Sequence, residues 1–379
     1  MIVHEFLRWI ETAPAGLRAE AAHALARAVL YSDVDEETRS GMEAAMTVLL
    51  DDPSVDVRFA LADALGSSPE APRHVLLTLA ADQVDVAALV LSRSPIFLDA
   101  ELVDIVAGAA DTLQIAIAGR PLVSGGVSAA IAEVGEMATC RTLLDNPGAE
   151  IARISLKRIA ERFGDDPDMR DILLSRPELP ADIRQMLIRR LGDTLGALVT
   201  GKSWMGEGQA ETLTREACDR ATVAIAAETE SEELVPLVEH LRVTGQLTTA
   251  LLLRALCAGN VRFFETALAV LSGMPEGRVA SLVRAGRANA LQAVYARAGL
   301  PMVAFDAFIA ALETCKGMAE RGGSSDRYRF TREMVENVLS RYHDITDGEV
   351  NELMTMLRRF AADQAREAAR DYARMATAA

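Results

Sequence analysis

The sequence predicts an all-α protein: a HEAT-like α-α superhelix, a solenoid of helical hairpins, followed by a second helical module. Three observations carry the prediction. Half of the 379 residues are apolar, yet aromatic side chains make up only 4%. The core must therefore be built mainly from Ala, Leu and Val. Ala and Leu lose little side-chain freedom in a helix, whereas a sandwich or barrel draws on Tyr, Phe, Trp and Thr. Apolar residues also recur at helical spacing along most of the chain, and one such pattern repeats through the first half.

In chain order, residues 17–29 place Leu17, Ala21, Ala24, Leu25 and Ala28 on one helical face. Asp33 and Glu36 resemble a capping box ahead of a helix over 35–50. The repeat begins at Asp51-Asp52-Pro53-Ser54-Val55-Asp56-Val57-Arg58 and continues through Ala60, Leu61, Ala64 and Leu65. Aligned on Val57, further units fall at Val86, Ile115 and Ile151, in steps of 29, 29 and 36 residues. Each step has the length of two helices and their turns. A lone hairpin leaves its apolar face bare, and stacked neighbours share one core. Ser68-Pro69-Glu70, Asp166-Pro167 and Leu179-Pro180 read as helix openings.

The polar, Gly-rich run TGKSWMGEGQ at 200–209 is the expected boundary. Helical patterning resumes at Ala210, and helices follow over 231–243, 246–258, 261–272, 278–286, 288–298 and 302–315. A second break, ERGGSSD, runs from Glu320 to Asp326. Beyond it, a helix is expected over 328–342 and another from the capping box Thr346-Asp347-Gly348-Glu349. The expected domains are a HEAT-like repeat domain at 1–199, a second helical domain at 200–319 and C-terminal helices at 327–379.

These runs resemble a family. DDPSVDVRFALADAL, VDVAALVLSRSPIF, IAIAGRPLVSGGVS and DNPGAEIARISLKRI, then LLLRALCAGNVRFFETALAVLSGMP and QAVYARAGLP, are similar to uncharacterised bacterial proteins grouped as domain of unknown function 2336 (DUF2336). The likeness extends from about residue 20 to about 315. It implies a helical-repeat fold and brings no established activity with it.

Composition narrows location and partners. No run of about 18 uncharged apolar residues exists, so no membrane span is expected. Glu5 and Arg8 interrupt the first apolar stretch, unlike a secretory signal. Cys140, Cys218, Cys257 and Cys315 lie far apart within helical patterns, as buried free thiols of a cytoplasmic protein do. The formal charge is −16. Residues 1–150 hold 9 basic and 23 acidic side chains, a net of −14. That balance disfavours nucleic acid, whose binding depends on neutralising phosphates, and suits a basic protein partner.

Motifs for chemistry are weak. GALVTGKS at Gly196–Ser203 satisfies the P-loop expression, but an amphipathic helix precedes it where a strand is required. His4, His23, His74, His240 and His343 show no ligand spacing. Ser124-Gly125-Gly126 reads as a helix cap rather than a nucleophile or anion-binding turn, and Asn146 as a turn residue. The pairs Asp51-Asp52, Asp165-Asp166 and Glu232-Glu233 sit where helices begin. No catalytic residue, cofactor or metal ligand is assigned.

Arg58, Arg93, Arg120, Arg153 and Arg158 occupy similar places in successive units. In a solenoid such places line one face, where arginines could hold an acidic peptide, a phosphate or a nucleotide. The alternative pairs each arginine with an acidic residue of the neighbouring repeat. Five arginines in Arg358–Arg374, mixed with Asp363, Glu367 and Asp371, suit a solvated or self-associating helix. The function expected is a non-enzymatic scaffold or regulator presenting a curved surface to a protein. The alternatives are a regulator with a small molecule or nucleotide between its helical halves, and an enzyme on a HEAT-like scaffold.

Overall fold

The computed structural model describes residues 2–320 and, beyond them, 333–338, 340, 354, 355, 357–362, 365, 366, 369, 370, 373 and 374. The fold is all-α, and no strand occurs among the described residues. The chain divides into two compact units, Met1–Pro177 and Glu178–Ala379.

The first unit holds α1 (Ile2–Ile10), α2 (Ala15–Tyr31), α3 (Glu36–Leu49), α4 (Val55–Leu65), α5 (Arg73–Ala80) and α6 (Val84–Arg93). It continues with α7 (Asp99–Gly108), α8 (Asp111–Ala118), α9 (Gly125–Val134), α10 (Met137–Asp145), α11 (Arg153–Phe163) and α12 (Pro167–Ser175). Packing follows alternation. Each even-numbered helix from α2 to α10 rests on the next even one, and α7, α9 and α11 form a second row. The shared core lies between the rows. Val57, Leu61 and Leu65 of α4 and Val86, Val90 and Leu91 of α6 are fully removed from solvent. Burying each such side chain favours folding by about 1.5–3 kcal/mol.

The repeat is shorter than the spacing suggested. Ile115 is only half-buried, and α8 turns Gln114, Ile117 and Ala118 inward instead. Ile151 precedes α11, which belongs to the second row, so the 36-residue step spans three helices rather than two. A better ruler is proline. Pro69, Pro95, Pro121, Pro147 and Pro177 each follow an even-row helix, at steps of 26, 26, 26 and 30 residues. Proline suits these places because it ends a helix and restricts the residue before it to extended backbone.

Two sets of side chains join the helices, one between the rows and one along the even row. The fourth residue of an even-row helix reaches back to a carbonyl at the end of the preceding helix or in the loop that follows it. Arg18 binds Ala13 O, Arg58 binds Asp52 O, Gln114 binds Val106 O and Arg170 binds Gly164 O, while the Cys140 thiol faces Ile131 O. Ala87 of α6 breaks the series. The residue before the loop proline does the same for the previous even helix. Arg120 binds Leu91 O and Ser94 O, Asn146 binds Ala118 O and Arg120 O, and Arg176 binds Leu144 O. Helix ends leave four carbonyls without partners, and these donors satisfy them away from water.

Helix openings differ in detail from expectation. Asp35, not Asp33, caps α3, accepting from Thr38 N at 2.7 Å. Ser68-Pro69 lies in a loop, and α5 opens after Pro72. Asp166 caps α12 from Met169 N at 3.0 Å with Pro167 at the first helical position.

The second unit begins with a long hairpin, α13 (Ala181–Gly201) and α14 (Glu207–Glu228). The Gly-rich run at 200–209 is therefore the bend of this hairpin, and the division between units falls earlier, after Pro177. Gly192 and Gly196 let the two helices approach: a Cβ at Gly192 would sit 2.5 Å from Cys218 Sγ, and one at Gly196 3.0 Å from Thr214 Oγ1. There follow α15 (Ser231–Val243), α16 (Thr249–Cys257), α17 (Val261–Ser272), α18 (Glu276–Ala285) and α19 (Ala288–Arg297). A 3-10 turn at Met302–Ala304 leads into α20 (Phe305–Glu320).

Every residue from Leu251 to Cys257 is buried, so α16 is the centre of this unit. Around it Phe264 stacks on Phe308 at 5.2 Å, and Tyr295 meets Phe305 at 5.2 Å. The Tyr295 hydroxyl donates to Pro301 O at 3.1 Å, satisfying the one polar atom of that cluster. Met334, Val335, Val338, Met354, Leu357 and Phe360 join the same core. The expected capping box at Thr346–Glu349 lies outside the described residues.

Candidate interaction surface

The five arginines do not share a face. Arg58 and Arg93 lie on α4 and α6 and Arg120 just beyond α8, in the even row, whereas Arg153 and Arg158 lie on α11 in the other. Arg58 pairs with Asp82 in the loop ahead of α6, Nε to Oδ2 at 2.5 Å. Arg93 meets Asp63 at 3.2 Å, and Arg158 grips Glu133 at 2.7 and 2.8 Å. Arg120 is buried, its guanidinium spent on backbone carbonyls. Burial lowers its pKa from the ordinary value and the Asp99 charge opposes that shift. Arg153, the first residue of α11, is half-buried and already engaged by other groups of the chain.

The P-loop-like motif is helical. Gly196 to Gly201 lie within α13, and the amides of Lys202 and Ser203 donate to Leu198 O and Thr200 O. Amides spent on helix bonds do not point at a phosphate. Ser124 caps α9 from Val127 N at 3.4 Å. Asn146 shapes its turn by accepting from Gly148 N at 2.8 Å. His74 Nε2 lies 3.1 Å from Thr47 Oγ1. The carboxylate pairs serve helix starts: Asp52 also accepts from Ser54 N, Asp166 caps α12, and Glu232 and Glu233 open α15. Among the described residues no group of three His, Cys, Asp or Glu converges as a metal site, and no helix is long and apolar enough to cross a membrane. The C-terminal arginine stretch is described only in part; there, Arg359 reaches Glu216 of α14 at 2.8 Å.

What the structure does assemble is an apolar edge. Leu98 precedes α7, Leu122 precedes α9 and Ile154 opens α11, with 60%, 79% and 75% of their surface exposed. They stand on neighbouring helices of one row. Their loops are tied together. Arg120 of the second loop binds Ser94 O of the first. Val123 N donates to Gly148 O at 3.1 Å and Glu150 N to Val123 O at 2.9 Å. This parallel bridge needs Gly148, where a Cβ would strike Pro121 O.

A family model described as an uncharacterised protein conserved in bacteria (DUF2336) matches residues 86–348. The chain belongs to this family. The match begins within α6, so the run DDPSVDVRFALADAL lies before it, and it extends past residue 315, further than the sequence likeness suggested. The three loops that carry the apolar edge all fall inside the DUF2336 span. No curated protein and no solved structure matches the chain.

The second unit carries a cleft of about 390 Å³ between α13 and α14, lined by Arg189, Asp193, Thr200, Glu207, Glu211 and Thr214 among others. Arg189 and Asp193 form an ion pair along its α13 wall at 3.2 Å. Sequence reasoning missed both the edge and the cleft. The proline steps would have located the loops of the edge; the cleft's signal is Gly192 and Gly196, four residues apart on one helix face and in close approach to Cys218 and Thr214 of α14.

Proposed function

We propose that this chain is a non-enzymatic interaction protein, a scaffold or regulator, which offers a HEAT-like stack of helical hairpins to a protein partner in the cytoplasm. The observation that carries the reading is the edge of Leu98, Leu122 and Ile154. Side chains of this size favour burial by about 1.5–3 kcal/mol each, and nothing in the fold of the first unit requires them outside. The arginines support the reading from the other side, since Arg58, Arg120 and Arg158 are committed within the unit rather than offered to a ligand.

The reading as a regulator that responds to a small molecule or nucleotide has one specific support, the α13–α14 cleft. Its acidic lining suits a cationic or hydroxyl-rich ligand better than a phosphate. Purification of the full chain from its own cell, followed by pairwise titration of each recovered protein, separates the two. A stoichiometric protein partner supports the proposal. A melting point raised by a metabolite, with no protein that binds on re-titration, supports the alternative.

A further inference from the structure

We infer that this chain self-associates through the α13–α14 hairpin, whose leucine face meets the same face of a second copy in a four-helix bundle. The inference goes beyond the interaction reading above and does not depend on it.

The first argument is that the face is continuous. Gly192 and Gly196 of α13 approach Cys218 and Thr214 of α14, which fixes the inner side of each helix. The cleft lies to one side of that line, lined by Asp193, Ala197 and Thr200 from α13 and by Glu207 and Glu211 from α14. A helix turns about 100° per residue. That turn places Leu191, Leu195 and Leu198 of α13, and Leu213, Ala217 and Ala224 of α14, on the side away from the cleft. Both helices line the cleft, so their opposite sides share the other face. Leu195, Leu198 and Leu213 are 50%, 49% and 47% exposed, the two alanines are exposed and Leu191 is half-buried.

The second argument is charge. Asp193, Glu207 and Glu211 are turned to the cleft. On the leucine face, Lys202 is exposed at the tip, Arg184 is half-buried at the base and Arg220 is already engaged by other groups. Glu216, at the margin, is taken up by Arg359. One free lysine is too little to hold an acidic partner, since exposed ion pairs contribute little. A chain of net charge −16 repels its own copy over most of its surface. Here two copies can meet without opposing carboxylates.

The third argument is fit. Gly196 stands level with Thr214, so Leu195 is level with the stretch between Leu213 and Ala217. A two-fold axis along the hairpin sets α13 of one copy antiparallel to α14 of the other at these same levels. Leu195 of one copy then lies between Leu213 and Ala217 of the other, and Lys202 beside the neutral Gln209. From Gln209 to Ala224 the face is roughly 22 Å long, and two helices side by side are ~20 Å wide. The two copies together bury on the order of 1,000 Å², the lower end for a specific interface, so a weak dimer is expected.

The test is light scattering on the full chain between roughly 1 and 200 μM, the range in which a weak dimer dissociates. The mass should rise from one chain towards two. Added salt should favour the dimer, because it screens the repulsion between like-charged copies. Leu195→Glu with Leu198→Glu should raise the midpoint concentration at least about tenfold. Both side chains are exposed, so circular dichroism should be unchanged. Glu207→Gln with Glu211→Gln, on the cleft face, should leave a dimer of similar strength. A dimer that survives the leucine variant, or one that weakens as salt rises, overturns the leucine face as the contact. A single chain at every concentration overturns self-association and leaves the interaction reading in place.

Discussion

The guanidinium of Arg58 grips both carboxylate oxygens of Asp82, Nε to Oδ2 at 2.5 Å and Nη2 to Oδ1 at 3.0 Å, and turns its remaining nitrogen to Asp52 O. One side chain thus joins α4, the loop before it and the loop before α6. Arg18 repeats the arrangement one even-row helix earlier, on α2, gripping Asp52 at 2.7 and 2.8 Å. Both members of the Arg58–Asp82 pair are about nine-tenths removed from water, at 12% and 13% exposure.

Arg58→Ala should therefore cost about 2–3 kcal/mol in urea unfolding, because it leaves a part-buried carboxylate and a carbonyl without their donor. Arg93 and Asp63 are half-exposed and meet at 3.2 Å. Arg93→Ala should cost under about 0.5 kcal/mol, as exposed pairs do. Equal losses from the two substitutions would contradict the assignment of Arg58 as the link between units of the row.

The same pair sets a pH dependence. The hydrogen bond from Arg58 holds the Asp82 carboxyl below its ordinary value, against an opposing effect of burial, and Arg18 does so for Asp52. A carboxyl with a folded pKa below its unfolded value contributes fully above the unfolded value, near 3.9. The contribution is lost as pH falls through the folded value. Urea midpoints should hold steady near neutrality and fall steeply in the acid range below about pH 4. Arg58→Ala should flatten part of that fall. An unchanged acid slope in the variant counts against the Arg58–Asp82 pair as its source.

The four thiols should resist alkylation in the native state. Burial pushes Cys140 and Cys315 up to about 11, raises Cys218, and lifts Cys257 further still. The thiolate is the nucleophile, so both its population and its access are small at neutral pH. Mass spectrometry after iodoacetamide treatment should find little modification in buffer and four additions in denaturant. Rapid labelling of Cys257 in buffer would mean that the core around α16 opens readily.

Gly192→Ala should destabilise the second unit by about 1–3 kcal/mol, because the new Cβ lands 2.5 Å from Cys218 Sγ and 3.1 Å from Thr214 Cγ2. Lys202→Ala, at the C-terminal cap of α13, should leave melting with and without Mg-ATP unchanged. A nucleotide-dependent stabilisation that vanishes in the lysine variant would restore the P-loop reading.

Gly126→Ala should raise stability by about 0.5–1 kcal/mol, since glycine in a helix holds more unfolded-state freedom than alanine and the site has space for a methyl group. A loss of stability on thermal unfolding would show that the first turn of α9 needs the bare backbone for its own packing.

The helices themselves were legible in the chain. Apolar residues at helical spacing, Leu and Val in α15 and Phe, Ala and Leu in α17, dictate these two helices to the residue, because an amphipathic pattern is a local property. Asp166-Pro167 opens α12 for the same reason. The register of the stack was not legible. Ile115 and Ile151 fit the apolar pattern as well as Val57 does, yet only packing between rows decides which helix is the neighbour of which. The arginines show the limit most clearly. Arg58, Arg120 and Arg158 look alike as basic residues on a repeat, but one holds a carboxylate in the next unit, one fills carbonyls at a buried helix end and one pairs at the surface. A charge's role depends on what stands within about 4 Å of it, and those partners lie 24 to 29 residues away in sequence. Composition and local periodicity determined that this protein would be helical; contacts between distant helices decided its order, its inward-turned arginines and its exposed aliphatic edge.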